Sequence, residues 1–420
     1  MFLCSNSDID KHYYEAKLCL LDYLACLVGG EGYYQHKLNI PGLGDGIQTD
    51  ALRFGMYSHV LELDDGHRKG AVHVGAPVFS ALIPIALRFG IEPNDFINGV
   101  IAGYEATVRL ACAVQPGCRK RGYHASGICG TVGAAIGIAT ALKFDSEQMN
   151  TAIAAAVAGA AGVLEMQEDG SDLKPYNVGR ASMDAVVAAM IGKAGLKGPN
   201  DAIGGKRGFM AVMTDTPHLE PLTDFNGDTL AVEQVYRKEY AACRHAHPAI
   251  EAALKIKPQI NLAEIEKIEV LTYLQATEGH SHIEIPSVSA AKMSIPFSVA
   301  VSLVTGCADM KAFSSENVAN KTMLDLTKKV EVKEDVNLTA LNPQKRAAIV
   351  VVHTPNGDYS QRVDYPKGEP ENSLSKEELE NKFRGLAMYG GLTMKESDAV
   401  INEIWKEDFS LEKIMNLISK

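Results

Sequence analysis

The densest group of side chains that could do chemistry lies between His59 and His73. This short stretch contains three histidines, three carboxylates and two cations. Histidine titrates near neutral pH, and a neighbouring carboxylate can orient an imidazole or stabilise its charged form. The composition therefore predicts proton transfer on an anionic substrate, with candidate groups His73, Glu62, Asp64, Asp65 and His67.

The elements that position these groups determine which of them meet. On a helix, residues three apart share a face, so His59 would lie beside Glu62, and Asp64 beside His67. A solvated helix end followed by a polar loop is an alternative without chemistry. Metal binding is not expected here, because no HExxH motif occurs and loop histidines six apart are weak evidence.

A second candidate segment follows the cations at 119–121 and contains His124. A turn rich in Gly, Ser and Thr leads into an Ala-rich helix that is expected over Thr131–Leu142. Backbone N–H groups at a helix N-terminus, together with the Ser126 and Thr131 hydroxyls, could bind a carboxylate beside His124. A capped helix with a surface basic cluster would account for the same residues.

Three cations elsewhere are candidate ligands for a carboxylate. Lys174 lies in a connection between apolar helices, where it could pair with a substrate carboxylate or donate a proton, although loop lysines are usually solvated. Arg244 offers a bidentate fork and Lys292 a point charge. Near them, His280, His282 and Glu284 would share a strand face, but without further ligands the sequence predicts no metal there.

Bulk properties restrict the class of protein. The chain has 420 residues, 46% of them apolar, and a net charge of −11, which predicts two domains and argues against nucleic-acid binding. A small anion is still an acceptable ligand, because local cations can dominate inside a pocket. No signal peptide or membrane-length apolar run is visible, so a cytoplasmic protein without a membrane partner is expected.

The eight cysteines contain no C-x-x-C pair. In a chain of this length, that pattern predicts reduced thiols rather than a disulfide framework, and it offers no zinc-ribbon or iron–sulfur spacing. Cys129 and Cys243 lie near histidines, so a nucleophilic role is conceivable. Small buried thiols are the more common case.

The N-terminal half has a helical pattern. A helix is predicted over 11–30 and should end at Gly29-Gly30, Asp50 is the expected N-cap of another, and Pro77 and Pro93 should open the next two. A capping box, Asp145 to Gln148, should start a helix through Val163. Ala181–Gly192 continues the same small-residue pattern, which predicts closely packed helices.

After residue 222 the pattern changes to strands. Strands are expected over 265–274, 329–333, 347–353 and 359–365, with a hairpin turn at Pro355-Asn356-Gly357 and a helix over 295–305. A second capping box, Ser375 to Glu378, opens a C-terminal helix. The sequence thus predicts a mainly α protein: a large helical domain, 1–222 completed by 374–420, with a smaller inserted α+β domain, 223–373.

Taken in order, several segments resemble the hallmark runs of the MmgE/PrpD family. The matches extend over nearly the whole chain, and they are His59 to His73, Gly122–Gly127, Gly130–Gly133, Lys174–Ala181, Gly208–Phe209, Cys243–Pro248 and Ala291–Ser294. The resemblance implies a large helical domain with an α+β lid and a homodimeric assembly. This implied fold agrees with the elements predicted from the sequence pattern.

The resemblance also implies roles for particular residues. His73 and His124 match the family's two active-site histidines, Lys174 its lysine, and Asp64 and Asp65 its central aspartate pair, which would orient His73 or His67. Substrate binding would fall to a wider set, namely Glu62, His67, Arg244, Lys292, Ser126 and Thr131.

The chain departs from the family pattern at three positions. Glu62 stands where members commonly carry Asp, Gly66 replaces a Thr of the cis-aconitate decarboxylases, and Met293 aligns with a His of those enzymes. The latter two differences make decarboxylation the less expected reaction.

The function implied by the resemblance is a cofactor-independent lyase. It would remove a proton next to a carboxylate of a small di- or tricarboxylic acid and eliminate a β-hydroxyl, as 2-methylcitrate dehydratase does. One of His73 and His124 would be the base and the other the acid. Epimerisation or decarboxylation of a related polycarboxylate needs nearly the same groups, and a non-catalytic carboxylate-binding protein is a third possibility.

Overall fold

The computed structural model describes residues 6–35, 38, 40, 42–168, 171–224 and 229–419, with the side chains of 6–9 left aside. The chain divides into two units, the first made of Met1–Gln167, Leu173–Arg237 and Ser375–Lys420, the second of Glu168–Asp172 and Lys238–Leu374. The predicted division lay at 222–223. The structure places it at Arg237, because Ala231 N–H bonds the Glu105 carboxylate and so ties this stretch to the first unit.

The first unit is helical in its described part. Its helices before the boundary are α1 (Asn6–Tyr33), α2 (Ile47–Val60), α3 (Gly75–Phe89), α4 (Pro93–Val114), α5 (Gly117–Lys120), α6 (Ala125–Ala141), α7 (Ser146–Gly159), α8 (Lys174–Lys193), α9 (Phe209–Met213), α10 (Glu220–Thr223) and α11 (Ala231–Gln234). None of the helices within the described residues combines the length and the apolar run needed to cross a bilayer.

The second unit combines short helices with a small mixed sheet. Its helices are α12 (His247–Ile256), α13 (Leu274–Thr277), α14 (Val288–Met293), α15 (Ile295–Thr305), α16 (Ser315–Val318), α17 (Lys321–Thr327) and α18 (Val336–Leu341). Its strands are β1 (Lys267–Thr272), β2 (Val330–Glu334), β3 (Ala348–Thr354) and β4 (Gly357–Val363), in the order β2-β1-β3-β4.

The sheet is mixed, and of its three strand pairings the sequence predicted only the hairpin. The β1–β2 pair is parallel, whereas β1–β3 and β3–β4 are antiparallel. The predicted hairpin is confirmed, since Thr354 pairs with Gly357 across the Pro355-Asn356 turn. All four predicted strands are confirmed within a few residues, and the helix over 295–305 is confirmed as α15.

The chain then returns to the first unit through α19 (Lys376–Tyr389), α20 (Met394–Ile404) and α21 (Leu411–Ile418). The capping box from Ser375 to Glu378 is present, as is the one from Asp145 to Gln148 at α7. Local hydrogen bonding therefore fixes both helix starts, as expected. The result is a mainly helical chain with a small sheet.

The prediction that Gly29-Gly30 ends the first helix is wrong, since α1 continues to Tyr33. Both glycines serve close packing instead. A Cβ on Gly30 would lie 1.8 Å from the Tyr57 carbonyl oxygen, and one on Gly29 would lie 2.8 Å from the Leu61 side chain. The missing side chains let α1 approach α2 near its C-terminal end.

Two predicted helix starts also need correction. Asp50 is not an N-cap, because α2 begins at Ile47 and the Asp50 N–H already bonds the Gly46 carbonyl. Helix α3 begins at Gly75 rather than Pro77. The Pro93 start is confirmed.

Small residues pack the inner helices together, as the sequence predicts. A Cβ on Gly133 of α6 would lie 1.9 Å from the Thr107 hydroxyl of α4, and one on Gly137 would lie 2.7 Å from the Gly99 carbonyl. These separations leave no room for a side chain. The helix that begins beside His124 is thereby held against α4 by backbone contact.

Replacing Gly30 with Ala tests the close approach of α1 and α2. The added methyl would collide with the Tyr57 carbonyl, so we expect a loss of about 1–3 kcal/mol or more in the free energy of unfolding. Gly385→Ala in α19 is the matched control, because a Cβ there meets no described atom within 4 Å. That control should gain about 0.5–1 kcal/mol. Equal melting temperatures for the two variants would contradict this packing.

Candidate functional site

The acidic–histidine segment is a loop rather than a helix. Helix α2 ends at Val60, Leu61 is its C-cap, and Glu62 adopts a left-handed backbone conformation with φ 59°. The expected helical pairs of His59 with Glu62 and of Asp64 with His67 are therefore wrong, because the helix has ended before Glu62. The loop instead turns its carboxylates toward groups from other parts of the first unit.

Asp64 lies between two imidazoles. Its Oδ2 is 2.8 Å from His59 Nδ1 and 3.0 Å from His73 Nδ1, and the carboxylate is buried. Burial acts to raise the pKa of Asp64, but the charges and hydrogen bonds of His59 and His73 outweigh it and hold the pKa well below its usual range. Asp64 is therefore a fixed negative charge that can stabilise an imidazolium.

The hydrogen bonds of His73 determine which ring nitrogen is basic. Its Nδ1 lies 2.8 Å from the Asp65 carbonyl oxygen, which can only accept, so Nδ1 carries the proton. In the neutral ring Nε2 then holds the lone pair. The His73 backbone N–H donates to Ser126 Oγ at 2.9 Å, so Ser126, a proposed substrate ligand, also positions His73.

His59 completes a cluster of three histidines. Its ring centroid lies 4.7 Å from that of His73 and 6.1 Å from that of His124, and the side chain is 0% exposed. Sequence reasoning did not place His59 in the site. The signal in the sequence was that His59 lies one helical turn before the acidic residues. Because the end of α2 is buried, the loop that follows it places Asp64 against the His59 ring.

His124 is the N-cap of α6 and is buried. Burial is the main reason that its pKa lies well below the usual value, and positive charge on a protonated His59, on Lys174 or on a protonated His73 lowers it further. His124 is therefore a neutral imidazole at neutral pH. Its Nδ1 is buried and makes no hydrogen bond to any described residue.

The expected helix N-terminus near Thr131 is wrong, since α6 already begins at Ala125. Thr131 lies in the second turn, is fully buried, and donates its hydroxyl to the Gly127 carbonyl at 2.7 Å. Thr131 is a residue type that can cap a helix, but its hydroxyl bonds within α6, which extends back to His124. The N–H groups of Gly127 and Ile128 bond the His124 carbonyl, so the candidate backbone donors at this helix N-terminus are those of Ala125 and Ser126.

Lys174 and Glu62 form an ion pair in which both side chains are nearly buried. Lys174 is the first residue of α8, not part of a loop as predicted, because Pro175 suits the first turn of a helix. The pair links two proposed site residues that are far apart in sequence. Glu62 thus supports Lys174, whose ammonium adds positive charge beside His124.

Asp65 contacts His73 through its backbone carbonyl, whereas its carboxylate contacts none of the described histidine rings. It accepts hydrogen bonds from Gly75 N–H at 2.7 Å and from the Tyr104 hydroxyl at 2.6 Å. Burial and the nearby Asp22 charge raise the pKa of Asp65 to about 6 despite those bonds. The Asp65 side chain accepts a hydrogen bond from the first residue of α3, while its backbone carbonyl orients the His73 ring.

A buried ion pair from the C-terminal segment holds the loop. Lys382 of α19 donates to Asp22 Oδ1 at 2.6 Å and to the Leu63 carbonyl at 2.8 Å. Burial raises the pKa of Asp22, while the Lys382 ammonium opposes that rise. Lys382 therefore connects α1 and α19 to the residue before Asp64.

His67 lies in a tight turn beside the cluster. Its backbone pairs with Val72, and its Nδ1 accepts from Gly70 N–H at 3.1 Å. Next to it, a Cβ on Gly66 would lie 2.4 Å from the Tyr236 hydroxyl. The space that a larger residue would need at position 66 is therefore filled by Tyr236.

Arg244 and Lys292 belong to the second unit. Arg244 is buried and forms an ion pair with the buried Glu369, so its guanidinium already has a protein carboxylate. Lys292 is buried in α14, with its Nζ 3.6 Å from the Met310 sulfur. Both remain proposals as substrate ligands.

The expected strand carrying His280, His282 and Glu284 is wrong, since residues 279–286 adopt no regular structure. His282 Nε2 lies 3.0 Å from the Ala290 carbonyl. His280 instead faces Cys243. Among the described residues, two groups have metal-type ligand atoms within 4.8 Å of one another: His59, Asp64 and His73, and Cys243, His245 and His280.

In the group of His59, Asp64 and His73, the hydrogen bonds favour a proton on His73 Nδ1 over a metal bound to that nitrogen. His73 Nδ1 faces both Asp64 and the Asp65 carbonyl, and that carbonyl requires an N–H. A metal on this nitrogen would have to displace that hydrogen bond.

The seven cysteines in the described part are free thiols, and Cys4 lies outside the described residues. Burial raises the pKa of Cys129 well above its usual value, which disfavours a nucleophile there.

Fold and site together define a mainly helical protein with a buried histidine–carboxylate centre and an α+β second unit. Comparison with known families assigns it: the MmgE/PrpD N-terminal domain matches residues 45–222, and the MmgE/PrpD C-terminal domain matches 240–407. The chain therefore belongs to the MmgE/PrpD family.

Curated relatives include three cis-aconitate decarboxylases. The Aspergillus terreus enzyme is 24% identical over 446 residues, covering 96% of this chain and 89% of the relative. The Mus musculus enzyme is 23% identical, with 79% of this chain and 70% of the relative covered. The Homo sapiens enzyme is 24% identical, with 79% and 71% covered.

Replacing Lys382 with Met tests the connection between α19 and the site loop. The change leaves the Asp22 carboxylate buried without its cation, so we expect a loss of about 3–5 kcal/mol in unfolding free energy. Adding Asp22→Asn to Lys382→Met removes the uncompensated charge and should recover much of that loss in a denaturant titration. A double variant as unstable as the single one would contradict the assigned role.

The depressed pKa of His124 predicts a particular pH dependence of stability. As pH falls below about 6.5, the unfolded chain binds a proton that folded His124 does not, so wild-type stability decreases in that range. His124→Gln and His124→Asn should both flatten this decline in melting temperatures measured from pH 7 to 5. Wild-type and variant curves that remain parallel would show that His124 is not held neutral.

Proposed function

We propose that this chain is a lyase that removes a proton next to a carboxylate of a small di- or tricarboxylic acid and eliminates a β-hydroxyl as water. The observation that carries the proposal is the Asp64 carboxylate shared by two imidazoles. Because Asp64 stays ionised, it stabilises the imidazolium that forms when His73 accepts a proton. The family assignment and the relatives named cis-aconitate decarboxylases, which are carbon–carbon lyases, support the broad lyase class.

His73 is the proposed base. Its Nδ1–H is held by the Asp65 carbonyl and Asp64, which leaves the lone pair on Nε2. The electrons of the broken C–H bond form the new double bond as the β C–O bond breaks. The leaving hydroxyl needs a proton to depart as water.

Lys174 is the proposed donor of that proton. A neutral His124 could donate only by becoming an imidazolate, so we assign it hydrogen bonding to the substrate instead. The Lys174 ammonium pairs with Glu62 and lies near enough to His124 to lower the pKa of that ring. Electrostatic stabilisation of the developing enediolate would come from the same ammonium. Arg244 and Lys292 are further candidates for binding substrate carboxylates.

Decarboxylation is the second candidate, because the curated relatives are named cis-aconitate decarboxylases. In that reaction the bond to a carboxylate carbon breaks, CO₂ leaves, and a protein acid protonates the remaining carbanion. Gly66 is the observation that favours dehydration, since the resemblance gives the decarboxylases a Thr here. In this chain Tyr236 occupies the space that such a side chain needs. Dehydration therefore remains the leading proposal.

The test is NMR of the purified protein in D₂O with 2-methylcitrate, citrate, cis-aconitate, malate and iminodisuccinate supplied separately. Dehydration predicts new alkene signals without CO₂ release: a vinyl proton from citrate or malate, and a vinylic methyl when 2-methylcitrate loses the proton of its methyl-bearing carbon. His73→Gln and Asp64→Asn should each reduce turnover by roughly 10²–10⁴-fold, the usual contribution of general acid–base catalysis. His218→Gln, an exposed change in the same unit, is the control and should retain activity.

The other outcomes identify the alternatives. Release of CO₂ would favour decarboxylation, and deuterium exchange with loss of stereochemistry but no alkene would favour epimerisation. Ligand-induced thermal stabilisation without turnover would indicate a carboxylate-binding protein. Wild-type turnover by folded His73→Gln protein would remove His73 as the base.

A further inference from the structure

A second cluster of reactive side chains lies within the second unit. Cys243 precedes the turn that leads into α12, and His280 follows α13. The Cys243 Sγ is 3.9 Å from His280 Nε2, and the rings of His245 and His280 stack with centroids 4.9 Å apart. One ligand atom from each residue lies within 4.8 Å of the other two.

The surrounding hydrogen bonds orient these rings as they do in metal sites. His280 Nδ1 lies 3.0 Å from the Met293 carbonyl, which fixes the proton on Nδ1 and directs the Nε2 lone pair toward the sulfur. His245 Nδ1 lies 2.6 Å from the Tyr273 hydroxyl. Histidines that bind a metal regularly place their second ring nitrogen against a carbonyl or another polar group in this way.

We propose that Cys243, His245 and His280 bind a thiophilic divalent cation, with zinc as the best match. One thiolate and two imidazoles form a ligand set that suits zinc, and three protein ligands leave a fourth position for water or another small ligand. Tetrahedral bond lengths place zinc ligand atoms roughly 3.3–3.6 Å apart. The observed 3.9 Å between Cys243 Sγ and His280 Nε2 is close to this range, and the three ligand atoms, all within 4.8 Å of one another, would have to move closer together around the ion.

The backbone already holds the ligands in place. Cys243 N–H donates to the Lys292 carbonyl at 2.8 Å, and Ile295 N–H donates to the His280 carbonyl at 2.9 Å. These bonds tie both ligand-bearing segments to α14 and α15. A bound ion would add a crosslink between segments 243–245 and 280 and would stabilise the folded protein.

The experiment uses the full chain, treated with chelator, desalted and titrated with zinc and then with cobalt(II). Wild-type protein should retain about one equivalent of metal, the stoichiometry of a single site. Cobalt should give a thiolate-to-metal charge-transfer band, and zinc should raise the melting temperature. Cys243→Ser and His280→Gln should lose the retained metal and the zinc-dependent stabilisation.

Two control variants distinguish binding at this cluster from binding elsewhere in the chain. His282→Gln alters a neighbouring histidine that bonds the Ala290 carbonyl, and it should bind metal as wild type does. His73→Gln removes the other candidate cluster and should also leave binding unchanged. Loss of binding in His73→Gln, retention in Cys243→Ser, or no retained metal in wild type would each overturn the proposal. The cobalt band requires only wild-type protein, so a variant that fails to fold does not weaken the test.

The inference does not depend on the proposed lyase reaction. Metal retention is measured without substrate, whereas the lyase reaction is measured as conversion of a carboxylic acid. A negative metal titration therefore leaves the activity assay unaffected, and an inactive protein can still bind zinc.

Discussion

The buried carboxylate of Asp64 is the constraint on which the candidate site depends. A charge removed from water is costly unless opposite charge and hydrogen bonds compensate for it. His59 and His73 supply the hydrogen bonds and, when protonated, the opposite charge, which hold the pKa of Asp64 well below its usual value. The loop must keep this carboxylate within 3.0 Å of two imidazoles, which explains why so many neighbouring groups fix the loop backbone.

Those groups come from distant parts of the chain. Lys382 reaches the loop from the C-terminal helix α19, and Ser126 holds the His73 backbone from α6. Asp65 joins the loop to the start of α3 through its side chain and to His73 through its carbonyl. The first unit therefore needs its C-terminal return to complete the surroundings of Asp64. A site built this way gains precision because each reacting group is held by a neighbour with a fixed position.

Much of the fold was predictable because its signals are local. Capping boxes at Asp145 and Ser375 fix helix starts within four residues, and the Pro355-Asn356-Gly357 turn fixes a hairpin. The helix boundaries that failed are those decided by packing. Gly29 and Gly30 look like a helix stop but permit contact with α2, while the start of α6 moved to Ala125 without a strong local cap.

The sequence by itself determined the helical character, the four strands and their hairpin, the family and the residue types that could transfer protons. It also pointed to His73, His124 and Lys174. Only the tertiary structure decided that Asp64 is shared by His59 and His73, that Glu62 pairs with Lys174, and that Cys243 meets His280. The physical reason is distance along the chain: periodicity and capping report neighbours within a few turns. Shared charges and the burial that shifts their pKa values arise only when remote segments pack together.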